Sequence, residues 1–147
     1  MTDENTGYAE EKVFFDTNIL VYAVDECNMH KQIIASKLIT DAANSKRGVI
    51  STQSLQEFFN VAVKKLKLSK EAAKEYVDFF SEQFPVTQVS VPQIQEAIDI
   101  CIKHGVSFWD SLILSSANDS GCTIVYSEDM NNGQTIEGAK ILNPFAN

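Results

Sequence analysis

The sequence is poor in cysteine and histidine, and this scarcity excludes several kinds of site. Its three cysteines, Cys27, Cys101 and Cys122, lie far apart, are odd in number and form no CxxC pair. We therefore expect free thiols in a reducing compartment, with neither a disulfide framework nor a zinc site. The two histidines, His30 and His104, are not flanked by a metal-ligand pattern, so a histidine-rich zinc site is not expected either.

Long apolar runs and phosphate-binding glycine motifs are also missing. No apolar run approaches the ~20 residues that span a bilayer, and the acidic N-terminus is the opposite of a signal peptide. We therefore expect a cytoplasmic protein with no membrane attachment. No GxGxxG follows the first predicted strand, and neither GxxxxGK[ST] nor GxSxG occurs. These absences exclude a dinucleotide cradle, a P-loop and a nucleophile elbow.

Positive charge is scarce, and the formal net charge is -8. Residues 1–11 contain four acids and no base, which predicts a flexible acidic tail before a single domain over residues 12–147. Five of the twelve basic residues fall between positions 64 and 74: Lys64, Lys65, Lys67, Lys70 and Lys74. From the sequence, this segment is either a solvated helix end and loop or a patch that contacts phosphate.

Short apolar strands alternate with amphipathic helices along the whole chain. We predict strands near residues 12–16, 49–50, 86–89, 123–126 and 139–142. Helices are predicted near 19–25 and 29–45, from Ser51 or Thr52, near 70–83, from the Ser90–Gln93 capping box to His104, and from Ser107 to Gly121. The apolar faces of these helices include Ile33, Phe59, Tyr76 and Phe79. Such alternation predicts an α/β fold in three layers, with a mostly parallel central sheet and helices on both faces.

Three aspartates stand at unusual places in this pattern. Asp16 directly follows the buried run Val13–Phe15, and Asp129 follows the strand near 123–126. Both should therefore reach the carboxyl edge of the sheet, where open α/β folds bind ligands. Asp110 lies in the first turn of a helix, near the border of its apolar face. Each of the three is also explained by a plain capping or turn role, and the sequence leaves both interpretations open.

Glu57 is harder to place. The apolar stripe of its helix points roughly 170° away from it, which predicts a solvated surface charge. It has no basic residue at i±3 or i±4, so an ordinary helical ion pair does not explain it.

Four blocks of sequence carry a family resemblance. They are Val13-Phe14-Phe15-Asp16-Thr17-Asn18-Ile19-Leu20, Ser51-Thr52-Gln53-Ser54-Leu55-Gln56-Glu57-Phe58, Ser107-Phe108-Trp109-Asp110-Ser111-Leu112-Ile113, and Val125-Tyr126-Ser127-Glu128-Asp129-Met130 with Asn143-Pro144-Phe145 at the end. In this order the chain resembles a PIN-domain ribonuclease over about residues 12–145. Within that family it resembles the small toxins of VapC-type toxin–antitoxin modules.

The resemblance implies an endoribonuclease that depends on Mg²⁺ or Mn²⁺. It assigns Asp16, Glu57, Asp110 and Asp129 to the family's catalytic acidic cluster, with the metal on Asp16, Asp110 and Asp129. Thr17, Asn18 and Ser127 are then the polar residues behind that cluster, and Lys64, Lys65 and Lys67 are candidate RNA contacts. A toxin of this type also implies a cognate antitoxin as partner and a homodimer.

Three other functions are left open by the sequence. The chain is alternatively a housekeeping RNA-processing nuclease, or a PIN fold that only binds RNA or protein. A phosphoryl enzyme of the haloacid dehalogenase type also places an aspartate after its first strand. That chemistry needs a second carboxylate two residues later, where this chain has Asn18.

Overall fold

The computed structural model of the chain describes residues 11–146 and confirms the predicted strand–helix alternation. The strands are β1 (Val13–Phe15), β2 (Gly48–Ser51), β3 (Val86–Thr87), β4 (Ile124–Tyr126), β5 (Thr135–Ile136) and β6 (Ala139–Leu142). The helices are α1 (Thr17–Val24), α2 (Met29–Asn44), α3 (Thr52–Lys64), α4 (Lys70–Gln83), α5 (Val91–His104) and α6 (Phe108–Asp119). The predicted acidic tail, residues 1–11, lies outside the described residues except for Glu11.

The strands form one mostly parallel sheet in the order β3-β2-β1-β4-β6-β5. All neighbouring pairs are parallel except β5 and β6, which form an antiparallel hairpin. Strand β1 lies near the centre, with Val13 opposite Gly48 of β2 and Ile124 of β4. The carboxyl ends of β1, β2 and β4 therefore meet at one edge of the sheet.

Helices cover both faces of this sheet, as the alternation predicts. Along β1, Val13 and Phe15 pack into the core on the side of α1 to α4, whereas Phe14 packs on the side of α5 and α6. All three side chains are at most 2% exposed. A strand buried on both faces explains why this run is continuously apolar instead of alternating.

Serine residues begin four of the helices. The side chains of Ser51, Ser69 and Ser107 each accept a backbone N–H bond as N-caps, and Ser90 forms the predicted capping box with Gln93. Each cap satisfies a backbone donor that the helix leaves unpaired. The caps thus fix the starts of α3 and α6, the helices that carry Glu57 and Asp110.

Some expectations about strands and burial were wrong. The strand expected near 86–89 consists of Val86–Thr87 alone, and the hairpin strand β5 was not predicted. Ile33, Phe59, Tyr76 and Phe79 were expected to face inward, yet their exposed fractions are 64%, 37%, 38% and 47%. Periodicity identifies residues that share a helix face but not whether another element covers that face.

None of the helices in residues 11–146 is long and apolar enough to cross a membrane.

Candidate active site

Asp16 lies where β1 ends and α1 begins, and it is only 6% exposed. Its Oδ1 accepts a hydrogen bond from the backbone N–H of Thr17 at 2.7 Å, so it caps α1. Its Oδ2 accepts a second bond from the Ser127 hydroxyl, also at 2.7 Å. The capping role considered from the sequence is therefore real, and it leaves the second carboxylate oxygen directed toward the end of β4.

The carboxyl group of Asp16 has a strongly perturbed pKa. Burial raises this pKa from 3.8 to about 6, and the negative charges of Asp110 and Glu57 add to the rise. The hydrogen bonds from Ser127 and Thr17 act in the opposite direction. The chain thus holds at this position a carboxylate whose ionised form is destabilised by its surroundings.

Asn18 joins the ends of β1 and β4. Its side-chain amide donates to Asp129 Oδ2 at 3.1 Å and to Asp16 Oδ2 at 3.4 Å. Its Oδ1 accepts from the backbone N–H of Glu128 at 3.2 Å. The buried Ser127 hydroxyl also accepts a hydrogen bond from the backbone N–H of Asp129 at 3.2 Å. The structure therefore brings Asp16, Asn18, Ser127 and Asp129 together.

Glu57 is exposed, as periodicity predicts, but it faces the same cleft as Asp16. Its Oε1 accepts a hydrogen bond from Gln53 Nε2 at 2.7 Å, and its Oε2 accepts from the Thr17 hydroxyl at 3.5 Å. The sequence analysis considered only basic residues at i±3 and i±4 of Glu57, and it therefore missed this contact with Gln53. A signal was present, since residues four apart on a helix lie on one face.

Asp110 is half-buried in the first turn of α6. Its backbone N–H donates to the Ser107 hydroxyl at 3.1 Å. Burial, with a smaller contribution from the charge of Asp129, raises the pKa of its carboxyl above the usual range, against the effect of Ser107. Both interpretations of Asp110 are therefore compatible with its position, at a helix N-terminus and beside other acids.

All four acids line one cleft of 820 Å³ at the carboxyl edge of the sheet. The same cleft is lined by Thr17, Asn18, Lys65 and Lys67, but Lys64 is not among its lining residues. Its walls also include Gln53, Tyr22, Glu128 and Trp109, which the sequence did not identify as site residues.

A smaller hollow of 610 Å³ between α3 and α4 has a largely apolar lining and includes none of the four acids.

Among the described residues, Glu128 has a basic partner, whereas the four acids that line the same cleft have none. Glu128 forms an ion pair with Lys31 and accepts a hydrogen bond from the Tyr22 hydroxyl at 2.7 Å. Within residues 11–146, no basic side chain forms an ion pair with Asp16, Glu57, Asp110 or Asp129. Clustered carboxylates without a counter-charge repel one another, so this part of the cleft favours a cation.

The donor set suits a hard divalent ion that is only partly coordinated by protein. No three Asp, Glu, His or Cys side chains in the described part of the chain are grouped closely enough to hold a metal ion as they stand. Mg²⁺ is commonly bound through one or two carboxylates, with waters and substrate phosphates completing its octahedron. An open cleft into which four acidic residues can supply carboxylate oxygens fits that pattern.

Comparisons with known proteins identify a family and several solved structures that the chain resembles. The family model described as "PIN domain" matches residues 13–132. No curated protein matches the sequence. Among solved structures, the chain is similar to VapC20 of Mycobacterium tuberculosis, a Sarcin-Ricin loop cleaving toxin, with 17% identity, coverage of 80% of this chain and 90% of that chain, and a TM-score of 0.64.

Two complexes provide further structural matches. DNA-bound VapBC from Salmonella typhimurium matches with 20% identity, 89% of this chain, 96% of that chain and a TM-score of 0.65. A toxin–antitoxin complex from Klebsiella pneumoniae matches with 15% identity, 91% of this chain, 98% of that chain and a TM-score of 0.66. At these identities the likeness concerns the fold.

Proposed function

This chain belongs to the PIN-domain family, and from that membership and its acidic cleft we propose that it is a metal-dependent endoribonuclease that acts as the toxin of a type II toxin–antitoxin pair. The observation that carries the proposal is that four acids line one cleft and form no ion pair with a basic side chain in the described part of the chain. They come from four separate parts of the chain, the ends of β1 and β4 and the helices α3 and α6. A plain capping or surface role for each acid does not account for their convergence.

In this proposal Asp16, Asp110 and Asp129 hold Mg²⁺ or Mn²⁺. A divalent ion bound there supplies charge neutralisation on the scissile phosphate and an activated water. Glu57, which lines the same cleft, orients the attacking water. Asn18 and Ser127 fix the carboxylates of Asp16 and Asp129 through the hydrogen bonds described above. Thr17 contributes through its contact with Glu57.

Lys65 and Lys67 are the basic residues of this cleft, and we assign them to the RNA backbone. Both line the same cavity as the acids, which places their charges where they can contact the phosphates of a bound strand. Lys64 precedes them at the end of α3 without lining the cavity, so its contribution should be the smallest of the three.

Replacing Lys64, Lys65 and Lys67 together by glutamine should weaken RNA binding and reduce its salt dependence. The plot of log K against log salt has a negative slope. Each lost phosphate contact should reduce the magnitude of that slope by about 0.7 for a single strand. Filter binding of a catalytically inactive form over a range of salt concentrations measures that slope. The matched control replaces Lys37, Lys46 and Lys140, which do not line the cleft. If the slope is unchanged when Lys64, Lys65 and Lys67 are replaced, the segment is solvated surface and does not contact RNA.

The toxin role is supported by the structural neighbours from Salmonella typhimurium and Klebsiella pneumoniae, which were solved as toxin–antitoxin complexes. We accordingly propose a cognate antitoxin and a homodimer for this chain. A short reading frame next to its gene is the place to look for that antitoxin.

Expression of the chain in a bacterial host should arrest growth, and co-expression of the neighbouring short protein should relieve the arrest. The Asp16→Asn variant should not arrest growth if the arrest arises from cleavage. Purified protein assayed on total RNA completes the experiment. RNA cleavage without growth arrest would favour a housekeeping nuclease, and an absence of cleavage in Mg²⁺ or Mn²⁺ would favour a binding module.

A further inference from the structure

Gln53 has contacts that a structural role does not explain. We propose that Gln53 is a positioning residue that holds the Glu57 carboxylate in the cleft and couples it to the first turn of α6, where Asp110 lies. This inference rests on the proposed nuclease function and extends it to a residue outside the acidic cluster. Gln53 is only 5% exposed, although it lies one turn from the exposed Glu57 on α3.

The side-chain amide of Gln53 connects two parts of the site. Its Nε2 donates to Glu57 Oε1 at 2.7 Å and to the backbone carbonyl oxygen of Trp109 at 3.4 Å. The only other hydrogen bond to the Glu57 carboxylate within residues 11–146 is the 3.5 Å contact with Thr17. A long exposed side chain loses considerable rotamer freedom when it is held in one place. The short bond from Gln53 is therefore the main restraint on Glu57.

The orientation of this amide follows from its neighbours. Both the Glu57 carboxylate and the Trp109 carbonyl are acceptors, so the NH₂ group must face them and Oε1 must point away. In that orientation Gln53 Oε1 is buried and has no hydrogen-bond partner among residues 11–146. A buried acceptor without a partner lowers the stability of the folded protein, and an apolar side chain of similar shape would avoid that loss. Glutamine at position 53 therefore does not favour the stability of the fold, whereas its side-chain amide is suited to hold the Glu57 carboxylate.

Gln93 shows what a structural glutamine looks like in the same protein. It is 3% exposed, and all of its polar atoms are paired. Its Nε2 donates to Asp119 at 2.8 Å and to Thr87 at 3.3 Å, while its Oε1 accepts from the backbone N–H of Ser90 at 3.2 Å. Gln93 does not line the cleft. It therefore serves as the matched control for Gln53.

The kinetic test compares Gln53→Met, Glu57→Gln, the double variant and Gln93→Met on one RNA substrate. Gln53→Met should lower kcat about tenfold with less than a twofold change in KM, and its metal-free Tm should not fall. In the double variant, kcat should equal that of Glu57→Gln alone, because Gln53 acts through Glu57. Gln93→Met should lower Tm, because Gln93 stabilises the fold and does not act on kcat through Glu57. An unchanged kcat for Gln53→Met, or effects that multiply in the double variant, would overturn the inference.

A second readout does not depend on activity. In NMR spectra, Glu57→Gln should shift the side-chain amide resonances of Gln53, and Gln53→Met should shift the backbone amide resonance of Asp110 and the side-chain carboxyl carbon of Glu57. Gln93→Met should leave these signals in place. If the shifts occur in a protein that does not cleave RNA, the positioning of Glu57 stands and the proposed nuclease function fails. If the shifts are absent, the inference about Gln53 fails, whatever the protein does to RNA.

Discussion

Replacing Asp16 by asparagine is expected to abolish RNA cleavage and to leave the metal-free fold at least as stable as before. Asparagine can still accept the capping bond from Thr17, but its amide is a poor ligand for a hard divalent ion. Metal stabilisation of charge in the transition state is worth several kcal/mol, so activity should fall by about a thousandfold or more. RNase assays and thermal melts, both with and without Mg²⁺, measure the two effects.

The same substitution should change how stability depends on pH. The pKa of Asp16 is about 6 in the folded protein against an ordinary value of 3.8. The folded state therefore binds the proton more tightly, and the stabilising contribution of this group is fully present below pH 3.8. It is lost as the pH rises through about 6, with a total change of about 3 kcal/mol. Asp16→Asn should lack this fall in the metal-free protein, as measured by unfolding in denaturant at several pH values.

Asp119→Asn is the matched control, because it makes the same chemical change at the end of α6, outside the cleft. It should retain RNA cleavage. If Asp16→Asn also retained activity, Asp16 would be a cap alone. If the loss of activity came with a large drop in the metal-free Tm, the effect would be structural, and the catalytic assignment of Asp16 would fail.

Removal of divalent ions should stop cleavage, and added Mg²⁺ or Mn²⁺ should restore it. The expectation follows from four acids that share one cleft without a basic partner among the described residues. The same ions should raise the Tm of the wild-type protein, because a ligand that binds only the folded state stabilises it. Asp16→Asn should show a much smaller increase in Tm. The measurements are cleavage of RNA by chelator-treated protein and melting curves over a range of metal concentrations.

Chelator saturated beforehand with Mg²⁺ is the control, since it should leave cleavage intact. Full activity in an excess of free chelator would exclude metal-dependent hydrolysis and require another mechanism for this cleft. A metal-induced rise in Tm that is equal in wild type and Asp16→Asn would place the ion at another site.

Much of the fold could be predicted because its central strands are buried on both faces. Continuous apolar runs such as Val13–Phe15, each followed by a helical pattern, leave few alternatives to a parallel sheet. The hairpin strand β5 was missed because Thr135–Ile136 is too short to show alternation. Its turn uses positive φ angles at Glu137 and Gly138, and only the glycine indicates such a turn in the sequence.

The site was predictable only in part from the residues themselves. The positions of Asp16 and Asp129 follow from where their strands end, since parallel strands deliver their carboxyl ends to one edge. Glu57 does not follow from periodicity, because a residue far from the apolar stripe can face either open solvent or a cleft. The family resemblance pointed to Glu57, whereas the contact with Gln53 depends on how α3 meets α6, which no local pattern specifies.

The distance along the chain between Asp16 and Ser127 has a consequence for synthesis on the ribosome. Their side chains are hydrogen-bonded although they are 111 residues apart in sequence. Strand β4, which carries Ser127 and Asp129 at its end, inserts between β1 and β6. A nascent chain in which β4 has not yet left the ribosome thus lacks the pairing of β1 with β4 at the centre of the sheet. It also lacks Asp129 in the acidic cluster. The proposed activity therefore cannot arise before β4 has been synthesised and has paired with β1, two strands that lie far apart in the sequence.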